Sequence, residues 1–278
     1  MNHVVVRTIT ALTTASLVVV GLLYLPVNVI SVALIVLVAL AHLEFSQMVA
    51  KKYETMTWIG VALGVCTMLS PHIPIKATVE AGFSFELLLT YVPVLFVALF
   101  VLMWFMALFG KYKTPLVAVG TTLLGVVYIP MMLVAFSTLP IKYGVHMFLY
   151  VVAIIKISDM GGFAFGLGSK KIFGNNHKMC PTISPNKSWE GMFGSIFASC
   201  LISCCFMPIT HFGFGKSLAL GMTAAIVGTL GDLVESRFKR ECDVKDSATF
   251  MPAGLGGFLD MFDSLVFAPA VLYPFLGK

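Results

Sequence analysis

Charge is what this sequence has least of. Only 11% of its 278 residues are Asp, Glu, Lys or Arg, where a soluble domain carries roughly a quarter. With 59% hydrophobic residues and a mean hydropathy of +0.96, a soluble fold is excluded and a polytopic membrane protein is expected. Cysteine is also sparse. Its six copies, Cys66, Cys180, Cys200, Cys204, Cys205 and Cys242, form no disulfide framework, and Cys200 with Cys204 read as small apolar packing on a span. No Gly-x-x-x-x-Gly-Lys-Ser/Thr run is present and no strand precedes the glycine-rich stretch, which excludes a Walker A loop and a dinucleotide fold. Acidic residues are scarce in the first half, four before residue 150 against nine after it. Acid chemistry therefore belongs to the second half.

What is present is a series of apolar runs. A helical span needs roughly 20 such residues, and breaking the chain at charges, Pro and Gly gives an all-α transmembrane bundle of about nine spans, within a range of eight to ten. They are placed near residues 8–24, 27–49, 57–70, 86–109, 114–137, 143–168, 189–208, 217–235 and 258–276. The first run imitates a secretory signal, but no small-x-small site follows it, so a retained helix is expected. Residues 1–140 read as scaffold, and residues 141–278, which hold most of the acids, as the region that carries the chemistry in its charged loops. His42 and Glu44, near the end of the second run, read as interfacial polar residues.

Under the nine-span arrangement thirteen lysines and arginines fall on one side of the membrane, from Arg7 to Lys245, and only Lys76, Lys142, Lys216 and Lys278 on the other. The positive-inside rule puts the first group in the cytoplasm, where nucleotides are.

Two stretches break the apolar pattern. In Gly231–Ser264, Asp232, Glu235, Ser236 and Lys239 stand at i, i+3, i+4 and i+7 and share one helix face. Asp260 and Asp263 are three apart on the opening turn of the next run. Paired oxygens at two helix ends suit hard cations such as Mg²⁺. Lys239, Arg240, Lys245 and a turn containing Pro252, Gly254, Gly256 and Gly257 suit a polyphosphate. In Lys156–Gly191, Lys156 and Asp159 lie inside an apolar span, three apart and able to pair, and charge at membrane depth is costly. A loop with Lys170, Lys171, Lys178 and the run Ser184-Pro-Asn-Lys-Ser-Trp-Glu-Gly191 follows.

These residues, in this order, resemble the signature of phosphatidate cytidylyltransferases (CDP-diacylglycerol synthases). Ser236, Lys239, Arg240, Lys245, Asp246, Pro252, Gly256, Gly257, Asp260 and Asp263 match the C-terminal pattern. Ser184–Gly191, downstream of Asp159–Phe163, resembles a second one. The turn PAGLGG is one residue longer than the pattern, Leu255 replaces its His, Met261 the Arg between its aspartates, and Asn186 a Lys. The resemblance covers roughly residues 150–275.

It implies transfer of a cytidylyl group from CTP to phosphatidate, at the cytoplasmic face of a bacterial inner membrane. Asp232, Asp260 and Asp263 are expected as metal ligands, with Asp246 and Asp159 as weaker candidates. The cofactor is expected to be Mg²⁺ at two divalent sites, with a monovalent ion as an added option. Lys239, Lys245, Arg240 and Lys187 are expected to neutralise phosphates, and Ser184 and Ser236 to donate hydrogen bonds. Gly256 and Gly257 should let backbone approach the nucleotide, Trp189 should stack on cytosine or anchor at the interface, and Glu190 and Asp159 complete the substrate set. Expected partners are CTP, phosphatidate, the bilayer and a second copy of the chain, with no nucleic acid. The rival readings are a CTP-dependent enzyme acting on an ether lipid or a polyprenol, and a cation-coupled transporter.

Overall fold

The apolar runs become helices longer than a bilayer core is thick. A computed structural model describes residues 23–70, 98, 101–244, 247 and 257–277. Among them, Val27–Ala50, Pro115–Tyr143, Val145–Phe173 and Phe214–Glu241 hold 24 to 29 residues each and are apolar enough to cross a membrane. At 1.5 Å per residue such helices exceed the roughly 30 Å of hydrocarbon. This is an integral membrane protein.

In order, the elements are α1 (Val27–Ala50), α2 (Thr57–Leu69), α3 (Pro115–Val126), a π-helical turn (Val127–Met131), α4 (Met132–Tyr143) and α5 (Val145–Phe173). A hairpin of β1 (Lys178–Cys180) and β2 (Ser184–Ser188) follows, then α6 (Trp189–Cys205), α7 (Met207–Thr210) and α8 (Phe214–Glu241). The chain closes with α9 (Phe258–Phe262), α10 (Ala268–Leu272) and a 3₁₀ turn (Tyr273–Phe275). Residues 101–109 are also helical. The expected span 8–24 and much of 86–109 lie outside the described residues.

Three expected spans differ from what forms. The one placed at 114–137 runs on to Tyr143, through a π turn that accommodates Pro130, a residue with no N–H to give to the preceding turn. The one placed at 217–235 continues to Glu241, because a helix that leaves the apolar layer has no reason to stop at its first charges. The one placed at 258–276 is broken into α9, a run of turns, α10 and the 3₁₀ turn. Pro269 and Pro274 stand at the first turns of the last two. Broken backbone at membrane depth is tolerated where protein covers it, and Leu259, Val266, Ala268 and Leu272 are all fully buried.

Helices α5 and α6 pack through glycine. A Cβ on Gly161 would lie 2.7 Å from the Gly194 carbonyl oxygen, and one on Gly191 would lie 2.9 Å from that of Gly162. Backbone meets backbone there, as small residues allow between membrane helices. The hairpin, antiparallel with Lys178 opposite Ser188 and Cys180 opposite Ser184, replaces the expected loop and feeds into α6. Ser188 caps that helix, its hydroxyl accepting the Gly191 N–H at 3.2 Å.

One buried apolar cluster runs from Ile30 to Leu276 through both halves of the chain. On α1 it takes Ile30, Leu34, Val38, Ala41, Phe45 and Met48, a helical stripe. His42 and Glu44, expected at the interface, are instead buried at 1% and 0% exposure. Gly64 and Gly125 leave space for the imidazole, since a Cβ on either would come within 2.9 Å of a ring nitrogen. Glu44 Oε2 accepts the Leu259 N–H at 3.0 Å, fastening α1 to the first turn of α9. Glu44→Ala would leave that buried donor unmet and is expected to cost about 1–3 kcal/mol. Thermal unfolding of detergent-solubilised protein measures it, and an unchanged midpoint would mean that the tie contributes nothing.

Charged segments gather at one end of the bundle. Lys52 Nζ lies 3.0 Å from Asp243 Oδ2, and the Tyr53 hydroxyl donates to Glu241 at 3.0 Å. Glu54 accepts the N–H groups of Lys113 at 2.9 Å and Thr114 at 2.6 Å, which holds its carboxyl below the usual carboxylate range. Lys52, Lys113 and the end of α8 thus share a side.

Candidate active site

The polar face expected on residues 232–239 forms as one continuous stretch of α8. Ser236 Oγ lies 3.4 Å from Asp232 Oδ1, and Lys239 Nζ lies 3.0 Å from Glu235 Oε1. The break after α9 brings a third carboxylate to it. Asp232, Glu235 and Asp263 each offer an oxygen, all within 4.8 Å of one another. The close approach depends on Gly231, whose missing side chain leaves room for the Asp263 carbonyl.

Three carboxylates this close repel one another unless cations intervene. Three lysines surround them. Lys187, on β2, pairs with Asp232. Lys239 bridges Glu235 and Asp260. Lys156, from α5, lies 3.8 Å from Asp263 and 3.7 Å from Asp159, and donates to the Met261 carbonyl at 3.1 Å and the Ser264 hydroxyl at 3.0 Å. Ser264 in turn donates through its hydroxyl to Asp159 at 2.8 Å and through its N–H to Asp263 at 2.5 Å. Lys156 therefore serves both the acids and a carbonyl beside the helix break.

Of the three residues expected to bind metal, Asp232 and Asp263 come together, and Asp260 stands at the edge of the group, joined to Glu235 through Lys239. Asp260 sits in the first turn of α9, where its Oδ2 reaches back to accept the Gly257 N–H at 2.6 Å and its Oδ1 meets Lys239. Glu235 completes the trio instead. It is only 1% exposed, and its Oε2 accepts no hydrogen bond among the described residues. The i, i+3 spacing from Asp232 signals Glu235 in the sequence. Nothing local signals Lys156 as a neighbour of Asp263 or Ser264 as a neighbour of Asp159, each pair more than a hundred residues apart.

Beside the trio is a cavity of about 330 Å³ between the hairpin and helices α5, α6 and α8. Asp159, Ser184, Lys187, Gly191 and Asp232 line it. Glu190 is not directed there. Its carboxylate accepts the His177 N–H at 3.0 Å and meets Nδ1 at 2.7 Å. Arg240 donates to the carbonyls of Ile183 and Val244, each at 3.5 Å, and so braces the hairpin. Trp189 is about half exposed at the start of α6. Lys245, Asp246 and residues 252–256 of the PAGLGG turn fall outside the described residues.

The residues present fit a hard cation. Its preferred ligands are carboxylate oxygens, the trio supplies three, and a buried Glu235 oxygen is left without a donor. Fixed ammonium groups beside such an ion suit phosphates, which bring oxygens for both.

A family model described as "Cytidylyltransferase family" matches residues 5–277. Over 131 residues the chain is 41% identical to a protein of Staphylococcus aureus (strain COL) named phosphatidate cytidylyltransferase. Proteins of the same name in Staphylococcus haemolyticus (strain JCSC1435) and Staphylococcus epidermidis (strain ATCC 35984 / DSM 28319 / BCRC 17069 / CCUG 31568 / BM 3577 / RP62A) are 40% and 39% identical. In each case the match takes in 46% of this chain and 48% of the relative, so it spans about half the length of these curated relatives.

Proposed function

The chain belongs to the cytidylyltransferase family, and on that premise we propose that it transfers a cytidylyl group from CTP to phosphatidate, giving CDP-diacylglycerol and pyrophosphate. The observation that carries this reading is the meeting of Asp232, Glu235 and Asp263 with three lysines beside the cavity.

A phosphate oxygen of phosphatidate is the nucleophile and needs no activating triad. It forms a bond to the α-phosphorus of CTP while the bond from that phosphorus to the β-phosphate bridging oxygen breaks, and pyrophosphate leaves with the electron pair. The difficulty is repulsion, because a phosphomonoester must approach a triphosphate. Asp232, Glu235 and Asp263 would hold a divalent cation, which when bound neutralises phosphate charge and withdraws electrons from phosphorus. A second cation, divalent or monovalent, would draw on Asp260, Asp159 or Asp246.

The chain's own groups do the rest. Lys187 and Lys239, each paired to an acid of the site, would turn toward phosphate oxygens of the bound substrates. Lys156 holds Asp263 and the broken turn in place. Ser184 donates to the nucleotide from the cavity wall, and the Asp260 bond to Gly257 fixes the first turn of α9. The lipid chains remain in the bilayer. The side shared by Lys52, Lys113 and the end of α8 is the lysine-rich side of the sequence, which supports a site facing the cytoplasm across a bacterial inner membrane.

Membranes containing the protein, supplied with CTP and phosphatidate, are expected to release pyrophosphate only when Mg²⁺ is present. Release with an ether lipid or an isoprenoid alcohol and not with phosphatidate would transfer the reading to another lipid substrate. No release with any of these acceptors would overturn it.

A further inference from the structure

Tyr128 has no structural reason to be a tyrosine. It sits on the π-helical turn Val127–Met131, in the half of the chain read as scaffold. Its side chain is 96% buried, being 4% exposed, and its hydroxyl has no hydrogen-bond partner among the described residues. Burying a hydroxyl unmet is unfavourable, and phenylalanine would fill the same space.

The ring is wedged against both segments that build the acidic trio. Its centroid is 5.2 Å from that of Phe238, three residues beyond Glu235 on α8, and 5.7 Å from that of Phe267, four beyond Asp263. Phe45 of α1 closes a third side at 5.5 Å. The acidic groups whose charge acts on the phenol are Glu235, Asp263 and Asp232, the trio itself. A π turn inserts one residue into a helix and redirects the side chains it carries, and such turns are frequent at functional sites. Here the redirected side chain carries an unmet donor that feels the charge of Glu235, whose Oε2 is an unmet acceptor.

We propose that Tyr128 is a further ligand-binding residue of this site, its hydroxyl donating to an oxygen of whatever the three carboxylates hold. That oxygen belongs to a water on the cation or to a nucleotide phosphate. The proposal rests on the reading above that the trio binds a divalent cation, and it adds the N-terminal half of the chain to the site.

The test compares wild type, Tyr128→Phe and Phe45→Leu, purified in detergent. Melting temperatures are taken alone, with Mn²⁺, and with Mg²⁺ plus CTP, beside pyrophosphate release. Tyr128→Phe is expected to melt, ligand-free, at or above the wild-type temperature. It should show a smaller rise on adding ligand and a turnover lower by roughly 10- to 100-fold, the ratio equivalent to one hydrogen bond to a charged group. A loss seen already with Mn²⁺ assigns the donor to the cation's water, and a loss seen only with CTP assigns it to phosphate. Phe45→Leu, which disturbs the ring's packing and spares the hydroxyl, should lower the ligand-free melting temperature and keep the rise. The proposal is overturned if Tyr128→Phe keeps both the rise and the turnover within twofold, if it destabilises the ligand-free protein, or if Phe45→Leu loses the rise equally. Wild-type protein that is stabilised by Mn²⁺ but releases no pyrophosphate would refute the transfer reaction, and the Mn²⁺ comparison would still decide the role of Tyr128.

Discussion

Asp263→Asn is expected to reduce pyrophosphate release by at least about 100-fold, the scale on which a fixed electrostatic group in an active site acts, and to leave the protein folded in the membrane. Asparagine has nearly the same shape and keeps one oxygen beside the Ser264 N–H, which donates to Asp263 Oδ1 at 2.5 Å. What it removes is charge. Asp263 lies close to Asp232 and Glu235 and has Lys156 only at 3.8 Å, so repulsion exceeds attraction and its neutralisation should not lower the melting temperature of the protein without added metal. Loss of turnover without loss of stability separates a ligand from a structural residue. Near-normal turnover would take Asp263 out of the site.

Gly231→Ala should act through backbone instead of charge. An added Cβ would stand 2.5 Å from the Asp263 carbonyl oxygen, an approach that only movement of α8 or of the turn can relieve. Overpacking of this kind costs about 1–3 kcal/mol, and the movement needed is the one that parts Asp232 and Glu235 from Asp263. Both stability and turnover should fall. Gly228, three residues earlier on the same helix, supplies the contrast. A Cβ there would meet its nearest atoms at 3.6 and 3.7 Å, ordinary contact, so Gly228→Ala should gain the helix preference of alanine over glycine, up to about 1 kcal/mol, at unchanged turnover. Equal behaviour of the two variants would show that the contact at Gly231 does not set the geometry.

The part of the site that lies along one helix is legible in the amino-acid order. Asp232, Glu235, Ser236 and Lys239 follow the helical period, and α8 presents them as that period requires. Legibility fails where chain direction changes. Segment 258–276 is apolar apart from Asp260, Asp263 and Ser264 in its first turns, so hydropathy reads a span, and only Pro269 and Pro274 hint at the breaks observed. The hairpin is hidden because Ser184-Pro-Asn-Lys-Ser188 has neither alternation nor β-branched residues. Its pairing depends on its seat against α6 and α8, which Arg240 braces. Glu44 and His42 look interfacial from their position near a run's end, and nothing in a single helix shows that α9 will lie over one and glycines around the other. Long-range meetings such as Lys156 with Met261 and Ser264 follow from the break itself, since a carbonyl left without its helical partner needs a donor from another element.

Binding of Mn²⁺ to purified protein, followed by the electron paramagnetic resonance of the free ion, addresses the cation site without requiring turnover. Wild type should bind Mn²⁺ and give it up to Mg²⁺, and Asp263→Asn and Glu235→Gln should each lose that binding while Glu190→Gln, whose carboxylate serves His177, retains it. Unaltered Mn²⁺ binding in both trio variants would contradict a cation held jointly by α8 and the turn beyond α9.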